Sequence, residues 1–103
     1  YDNFTHAVLM YLEDLGFCGR GEAGEMVASG ALRPGGALPS MTSGGGLSYC
    51  HPGALGILLI VEAVRQLRDE AGERPVPDAD IGVAHGTGGL AFSTASTVVL
   101  AHD

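Results

Sequence analysis

The sequence predicts an α/β domain, and three segments of the 103-residue chain carry that prediction. An amphipathic helix opens the chain, a strongly apolar helix lies near its middle, and two apolar, β-branched segments close it. The composition, 46% hydrophobic and 17% charged, is typical of a chain that can bury a core. Residues 1–103 are predicted to form one small domain, and the missing initiator Met suggests a fragment of a larger subunit.

The first part of the chain is predicted to be mostly helical. Asp2 or Asn3 is a suitable cap for a helix that starts near Phe4 and stops at Gly16. Its apolar face consists of residues at helical spacing, namely Phe4, Val8, Tyr11, Leu12 and Leu15. A short helix at 22–29, a loop rich in Gly and Pro at 31–39 and a short strand at 40–43 are expected to follow.

The helix predicted from Ala54 to Glu70 carries the strongest structural inference. Its first part, 54–61, is apolar on every side rather than along one stripe, which is typical of a helix buried all round. A lone domain of this size can hardly bury a helix completely. We therefore expect more protein around it, either an upstream domain, a partner subunit or both.

The last part of the chain is predicted to contain two strands. Ile81–Ala84 and Phe92–Ala101 are apolar, and the second is rich in β-branched residues, as strands are. The segment His85–Gly89 contains three glycines and is predicted to form a tight turn between the strands.

Charge and hydropathy exclude several classes of partner. The net charge is −7 with only five Lys and Arg residues, which argues against nucleic acid and anionic membranes. The most apolar run, Ile57–Val61, ends at Glu62 and is far shorter than the roughly 20 residues of a membrane-spanning helix. No membrane span is therefore predicted.

The cysteines predict neither a disulfide framework nor a metal site. The chain has only two of them, which favours a reducing, cytoplasmic location. No zinc-like spacing relates the cysteines to the histidines of the motifs, so no metal is predicted for Cys18, Cys50, His51 and His85. Cys50 directly precedes His51, and a small buried thiol is expected there in preference to a nucleophile.

Three motifs give the chain a family resemblance. They are the first box, Tyr1–Phe4, the histidine box, Cys50–Gly53, and the glycine segment, His85–Gly89. In their order and spacing, with the apolar helix between the last two, they resemble the C-terminal half of thiolases. The likeness is greatest to the lipid-transfer-protein branch and its steroid side-chain aldolases, and it covers essentially the whole chain.

The resemblance implies the architecture and partners of the complete subunit. It implies a five-layer αβαβα fold in which the apolar helix is the middle layer, packed on a mixed sheet. It places a nucleophilic cysteine, where one exists, in an upstream half, and it implies a homodimer. It also implies acyl-CoA substrates, with coenzyme A as part of the substrate and no permanently bound cofactor. Related aldolases make an OB-fold partner of the DUF35 type plausible.

The resemblance also implies site residues. A histidine at the start of a helix is kept neutral by the helix dipole, and His51 then donates a hydrogen bond to a thioester oxyanion. A simple helix-cap role suits the same position, but the neighbouring motifs favour function. Tyr1 stands where the family has Asn or His, and Tyr49 lies two residues before His51. Both phenols are candidates for proton transfer or substrate positioning, with core packing as the alternative.

His85 marks the main departure from the family pattern. It stands where the resemblance places a second catalytic cysteine, which puts thiolytic cleavage and condensation in doubt. A catalytic acid or base and a structural loop residue are equally good interpretations of His85. Gly86, Gly88 and Gly89 are expected to bring backbone N–H groups close to substrate, beside Cys50.

Three functions remain open from the sequence. The favoured one is retro-aldol cleavage of a β-hydroxyacyl-CoA, with steroid-derived acyl groups suggested by the resemblance alone. The second is a carrier that holds lipid or acyl-CoA without turnover. The third is a degradative thiolase with an altered proton shuttle. The isolated 103-residue segment is expected to be inactive.

Overall fold

A computed structural model describes residues 1–102, and it is an α/β structure in which helices pack beside a small sheet. A short 3₁₀ turn, Leu90–Phe92, connects the two strands. The helices and strands follow the chain in the order α1 Thr5–Asp14, α2 Ala23–Ala28, α3 Gly45–Ser48, α4 Leu55–Leu67, β1 Ile81–Gly88 and β2 Thr94–Ala101. Residues 40–43, expected to form a short strand, are loop and turn, and α3 was not predicted.

Helix α1 lies where the spacing of apolar residues predicted it, but its cap differs. Phe4, in an extended conformation, holds the N-cap position without a side-chain cap hydrogen bond, so neither Asp2 nor Asn3 caps this helix. The Asn3 side chain instead accepts a hydrogen bond from the Phe4 backbone at 3.0 Å. Gly16 adopts a φ of +81°, the left-handed conformation in which a helix is commonly terminated.

The two strands form an antiparallel hairpin, and its turn is later than predicted. His85 pairs with Thr97 and Gly88 with Thr94, so β1 continues through most of the glycine segment. Gly89, with φ +73°, opens the actual turn. Glycine permits a turn without requiring one, and here Gly86 and Gly88 are extended because β2 offers them a complete backbone ladder. Phe92 consequently lies in the turn and not in the second strand.

Helix α4 packs on β1 through a close approach at one glycine. A Cβ at Gly82 would contact Ala63 and Leu67 at 3.4 and 3.5 Å, so the helix lies directly against the strand there. The other side of the helix is open: Ile57 and Leu58 are 57% and 50% exposed. Burial on every side, predicted from the sequence, is therefore not achieved by residues 1–102 alone. The described sheet has only two antiparallel strands, so the mixed sheet is also absent from these residues.

A polar cluster fastens α4 to two loops. The Glu62 carboxylate accepts hydrogen bonds from Thr42 at 2.6 Å and Gln66 at 3.0 Å, and it pairs with Arg74 at 2.6 Å. Arg74 also donates to the Thr42 carbonyl at 2.8 Å, which ties both loops together. Burial acts to raise the pKa of Glu62, but the three hydrogen bonds and the charge of Arg74 outweigh it and lower that pKa.

Glu62→Gln in the complete subunit is expected to lower the free energy of unfolding by about 1–2 kcal/mol at pH 7, because the charged hydrogen bonds weaken. A lowered native pKa stabilises the fold above the unfolded pKa and loses that contribution as pH falls through the native pKa. The difference between wild type and variant should therefore shrink below about pH 4.5. Urea unfolding at pH 7 and pH 4 tests this, and a difference that grows in acid would contradict it.

Candidate active site

The first box and the histidine box meet through Tyr1 and His51. The Tyr1 hydroxyl is hydrogen-bonded to His51 Nε2 across 50 residues of sequence. The two rings lie 5.4 Å apart between centroids and are tilted by 50°. His51 is exposed and Tyr1 is half-buried, so the pair is open on the His51 side. The structure thus brings together two residues that the sequence proposed for one site.

The Tyr1–His51 pair can supply a polar hydrogen in either tautomer. If the phenol donates to Nε2, the imidazole proton lies on Nδ1 and remains free. If Nε2 carries the proton and donates, the Tyr1 O–H remains free. In both states one donor is left for a thioester oxygen or a proton transfer.

His51 lies farther from its helix than predicted. Helix α4 begins at Leu55, with Ala54 as its N-cap, so a turn separates the imidazole from the helix. The effect of a helix dipole is concentrated near its first turn. The predicted dipole effect on His51 therefore loses its basis, and the contact with Tyr1 replaces it as the interaction that orients the ring.

Asp2 joins the first box to the triple-glycine segment 44–46. Its carboxylate accepts hydrogen bonds from the backbone of Gly46 at 2.8 Å and Leu47 at 3.0 Å, at the start of α3. Asp2 is only 4% exposed, so these are well-shielded, charge-assisted bonds. Gly45 has a φ of +66°, and a Cβ there would meet the Asp2 carboxylate. Glycine at this position therefore lets the two segments approach each other.

His85 lies in β1 and contacts the first box through Tyr1. The Tyr1 backbone nitrogen donates to the His85 carbonyl oxygen at 2.7 Å, and His85 Nδ1 is 2.8 Å from Thr97 Oγ1. Burial is the largest cause that lowers the pKa of His85, while the charge of Asp14 opposes this. A neutral imidazole is thereby favoured, which is the form that can accept a proton.

Tyr49 and Cys50 are two further residues predicted for this site. Tyr49 is 78% exposed, and its ring lies over Gly44, where a Cβ would clash with it. Within residues 1–102 no hydrogen bond joins Tyr49 to Tyr1 or His51. Cys50 is free and exposed, so the expectation of a buried thiol at this position is wrong.

The glycines predicted to bind substrate belong to the hairpin. Gly86 and Gly88 pair with Ser96 and Thr94, so they follow His85 along β1 rather than forming a loop over a ligand. Gly89 opens the turn beyond the strand and is exposed. Their role in binding substrate stays a prediction.

Sequence reasoning missed two groups at this site. The sequence pattern predicts a helix cap at Asp2 or Asn3, and it predicts Tyr11 to be part of an apolar helix face. Tyr11 instead donates to Asn3 Oδ1 at 3.2 Å and lies 2.5 Å from Thr87 Oγ1. Its ring centroid is 4.8 Å from that of His85. A hydroxyl on an otherwise apolar helix face was the only available signal.

Two features are absent from the described part of the chain. Among residues 1–102, no helix is both long enough and apolar enough to cross a membrane. No group of three or more His, Cys, Asp or Glu side chains in that range is arranged to hold a metal ion.

Comparison with known proteins identifies the family of this chain. Residues 1–102 match the family described as thiolase C-terminal domain-like, and the chain belongs to that family. This confirms the resemblance that the three motifs indicated.

Three relatives show what kinds of protein the chain is similar to. It is 46% identical over 90 residues to a steroid side-chain-cleaving aldolase of Thermomonospora curvata, covering 85% of this chain and 22% of that protein. It is 51% identical over 70 residues to a 17-hydroxy-3-oxo-4-pregnene-20-carboxyl-CoA lyase of Mycobacterium tuberculosis, covering 66% of this chain and 17% of that protein. It is 44% identical over 95 residues to an acetyl-CoA acetyltransferase of Methanothermobacter thermautotrophicus, covering 88% and 25%. The chain thus spans about a fifth of the length of these relatives.

Proposed function

We propose that this chain is the C-terminal part of a thiolase-like enzyme that cleaves a carbon–carbon bond in a β-hydroxyacyl-CoA by a retro-aldol reaction. The observation that carries the proposal is the Tyr1–His51 hydrogen bond, which makes a proton-bearing pair without a cysteine. The family resemblance predicts a cysteine at position 85. His85 occupies that position instead and lies in β1, next to Tyr1. Retro-aldol chemistry needs an acid, a base and an oxyanion donor, but no thiol.

The reaction can be written with these groups. A base removes the proton of the β-hydroxyl, the Cα–Cβ bond breaks, and its electron pair moves into the thioester as an enolate. The ketone leaves, and an acid returns a proton to Cα, so the products are a ketone and a shortened acyl-CoA. In this proposal the free hydrogen of the Tyr1–His51 pair stabilises the enolate oxygen. Tyr1, Tyr49 and His85 are the candidates for acid and base.

The substrate class rests on the relatives. Two of them are named as a steroid side-chain-cleaving aldolase and a pregnene-carboxyl-CoA lyase, which supports a steroid-derived acyl group. Coenzyme A would enter as part of the substrate, and no permanently bound cofactor is proposed. Cys50, Gly86, Gly88 and Gly89 remain candidates for substrate contacts.

The remainder of a larger subunit is the first partner we propose. A cavity of about 440 Å³ is lined by α1, the loop at 38–43, α4 and five consecutive residues of β1, Ile81–His85. Successive strand residues face opposite ways, so a cavity that touches all five lies along the strand's edge. An additional strand fits such a place, and further layers would cover Ile57 and Leu58. We also propose that the complete subunit forms a homodimer, binds an OB-fold partner of the DUF35 type and is located in the cytoplasm.

Two other functions stay in competition. A non-catalytic carrier of lipid or acyl-CoA is compatible with the apolar cavity. A degradative thiolase is supported by the acetyl-CoA acetyltransferase relative, but His85 in place of cysteine disfavours it.

The direct test is incubation of the complete subunit, with any OB-fold partner, with a steroidal β-hydroxyacyl-CoA. We expect stoichiometric release of ketone and shortened acyl-CoA, followed by liquid chromatography and mass spectrometry. Tight binding without ketone would instead support the carrier. Acyl transfer to free coenzyme A from a 3-oxoacyl-CoA, without retro-aldol cleavage, would support the thiolase.

A further inference from the structure

We infer that Tyr11 is a positioning residue, which fixes the position of the His85 imidazole relative to the first box, Tyr1–Phe4. This inference rests on the proposed function for its kinetic consequences, but its geometry stands on contacts within the chain. The Tyr11 side chain contacts three residues, namely Asn3, His85 and Thr87. Tyr11 thus links the start of the chain to the middle of β1.

The polarity of the hydrogen-bond chain can be deduced. A phenol has one hydrogen, and Tyr11 donates it to Asn3 Oδ1 at 3.2 Å. Thr87 must therefore donate its own hydrogen to the Tyr11 oxygen across 2.5 Å. Asn3 Oδ1 also accepts from the Phe4 backbone at 3.0 Å, which holds the acceptor in place. Asn3 is 8% exposed, so the Asn3 end of this series of hydrogen bonds is shielded from water.

The same geometry excludes Tyr11 as an acid or base. Its only hydrogen is already donated to Asn3, and its oxygen already accepts from Thr87. Its influence on chemistry must therefore pass through its neighbours. The ring lies 4.8 Å from the His85 ring at an angle of 59°, an ordinary aromatic contact. On the other side, Thr97 is hydrogen-bonded to His85 Nδ1 at 2.8 Å, so the imidazole is held between α1 and β2.

The spacing of β1 explains why one tyrosine can do this. His85 and Thr87 are two residues apart in the strand, so their side chains project from the same face of the sheet. The Tyr11 ring contacts the first and its hydroxyl reaches the second. Without the hydroxyl, the Tyr11 ring should be able to tilt. The His85 ring, which packs against it, should then lose its fixed orientation. A misplacement of about 1 Å in a catalytic group can lower a rate up to a hundredfold.

The test is a double-mutant cycle in the complete subunit. Tyr11→Phe keeps the ring and removes the hydroxyl, while Thr87→Val keeps the branched shape and removes the donor. Each is expected to lower kcat about tenfold with KM changed less than twofold, and the double variant should be no slower than either single one. Thr87→Ser restores the donor and should recover most of the lost kcat. Unchanged kcat in both single variants, or fully multiplicative losses, would overturn the inference.

A second measurement separates this inference from the proposed function. The rate at which diethylpyrocarbonate modifies His85 is followed by peptide mass spectrometry in folded wild type and in Tyr11→Phe, without any substrate. A rate at least threefold different in the variant supports the positioning role even if the wild type shows no turnover. Equal rates overturn it, whatever reaction the subunit performs. Thr87→Val provides the same comparison if Tyr11→Phe does not fold.

Discussion

His51→Ala in the complete subunit is expected to lower kcat for β-hydroxyacyl-CoA cleavage by about 10²–10³-fold. Removal of a single oxyanion donor from an enzyme has an effect of this size, because the donor acts mainly on charge that develops in the transition state. KM should change little, since the ground-state carbonyl attracts the same donor only weakly. Steady-state kinetics with the ketone as the measured product check this.

Because His51 is exposed, the effect of its removal on kcat can be separated from an effect on stability. Its side chain is exposed and its described polar partner is Tyr1, so its removal should change the unfolding midpoint very little. Tyr1→Phe is the matched variant: it keeps the imidazole but removes the hydroxyl that orients it. We expect a smaller loss, about tenfold to a hundredfold in kcat. A kcat for His51→Ala within threefold of wild type would remove His51 from the mechanism.

Asp2→Ala is expected to have the largest structural effect of any substitution in the site. It removes an acceptor of two charge-assisted hydrogen bonds and leaves the backbone N–H groups of Gly46 and Leu47 without it. Since each such bond contributes about 1.5–3 kcal/mol, we expect a local loss of roughly 3 kcal/mol. This corresponds to an opening equilibrium constant for the segment that is about a hundredfold larger, since about 1.4 kcal/mol is a factor of ten in an equilibrium constant.

Hydrogen exchange measures that loss where it occurs. Amides in 45–48 of the complete subunit should exchange about a hundredfold faster in Asp2→Ala, while those of β1 should be nearly unchanged. Asp2→Asn is the matched control: its shape is the same, but its amide has one acceptor oxygen, so an intermediate effect is expected. Gly45→Ala should reproduce the loss from the other side, because its Cβ would meet the carboxylate and φ is +66°. Unchanged protection of 45–48 in Asp2→Ala would show that the bridge is not stabilising.

Asp2→Ala should also lower turnover, and the reason is positional. Asp2 lies next to Tyr1, and the segment that it holds, Gly46–Leu47, leads within a few residues to His51. A Cβ at Gly46 would be 4.0 Å from His51 Nδ1, which shows how near the bridge is to the imidazole. When the bridge opens, Tyr1 and His51 are expected to lose their common orientation.

Local pattern was enough to predict most of the secondary structure. The apolar spacing of Phe4 to Leu15 predicted α1, and the continuous apolar run after Ala54 predicted α4. Both depend on interactions within a few residues of the chain, which propensity and periodicity describe. The bounds were less accurate: α4 ends at Leu67 rather than at Glu70, and the hairpin turn lies after Gly88.

The sequence by itself determined the family, the two helices that frame the site, and the residues Tyr1, His51 and His85 as its candidates, because these are encoded in short motifs. Only the tertiary structure decided that Asp2 bridges to Gly46 rather than capping α1, and that Tyr11 reaches Thr87. These bonds join residues 44 and 76 positions apart. Which polar groups meet over such separations depends on how helices and strands pack, and no local pattern of residues contains that information.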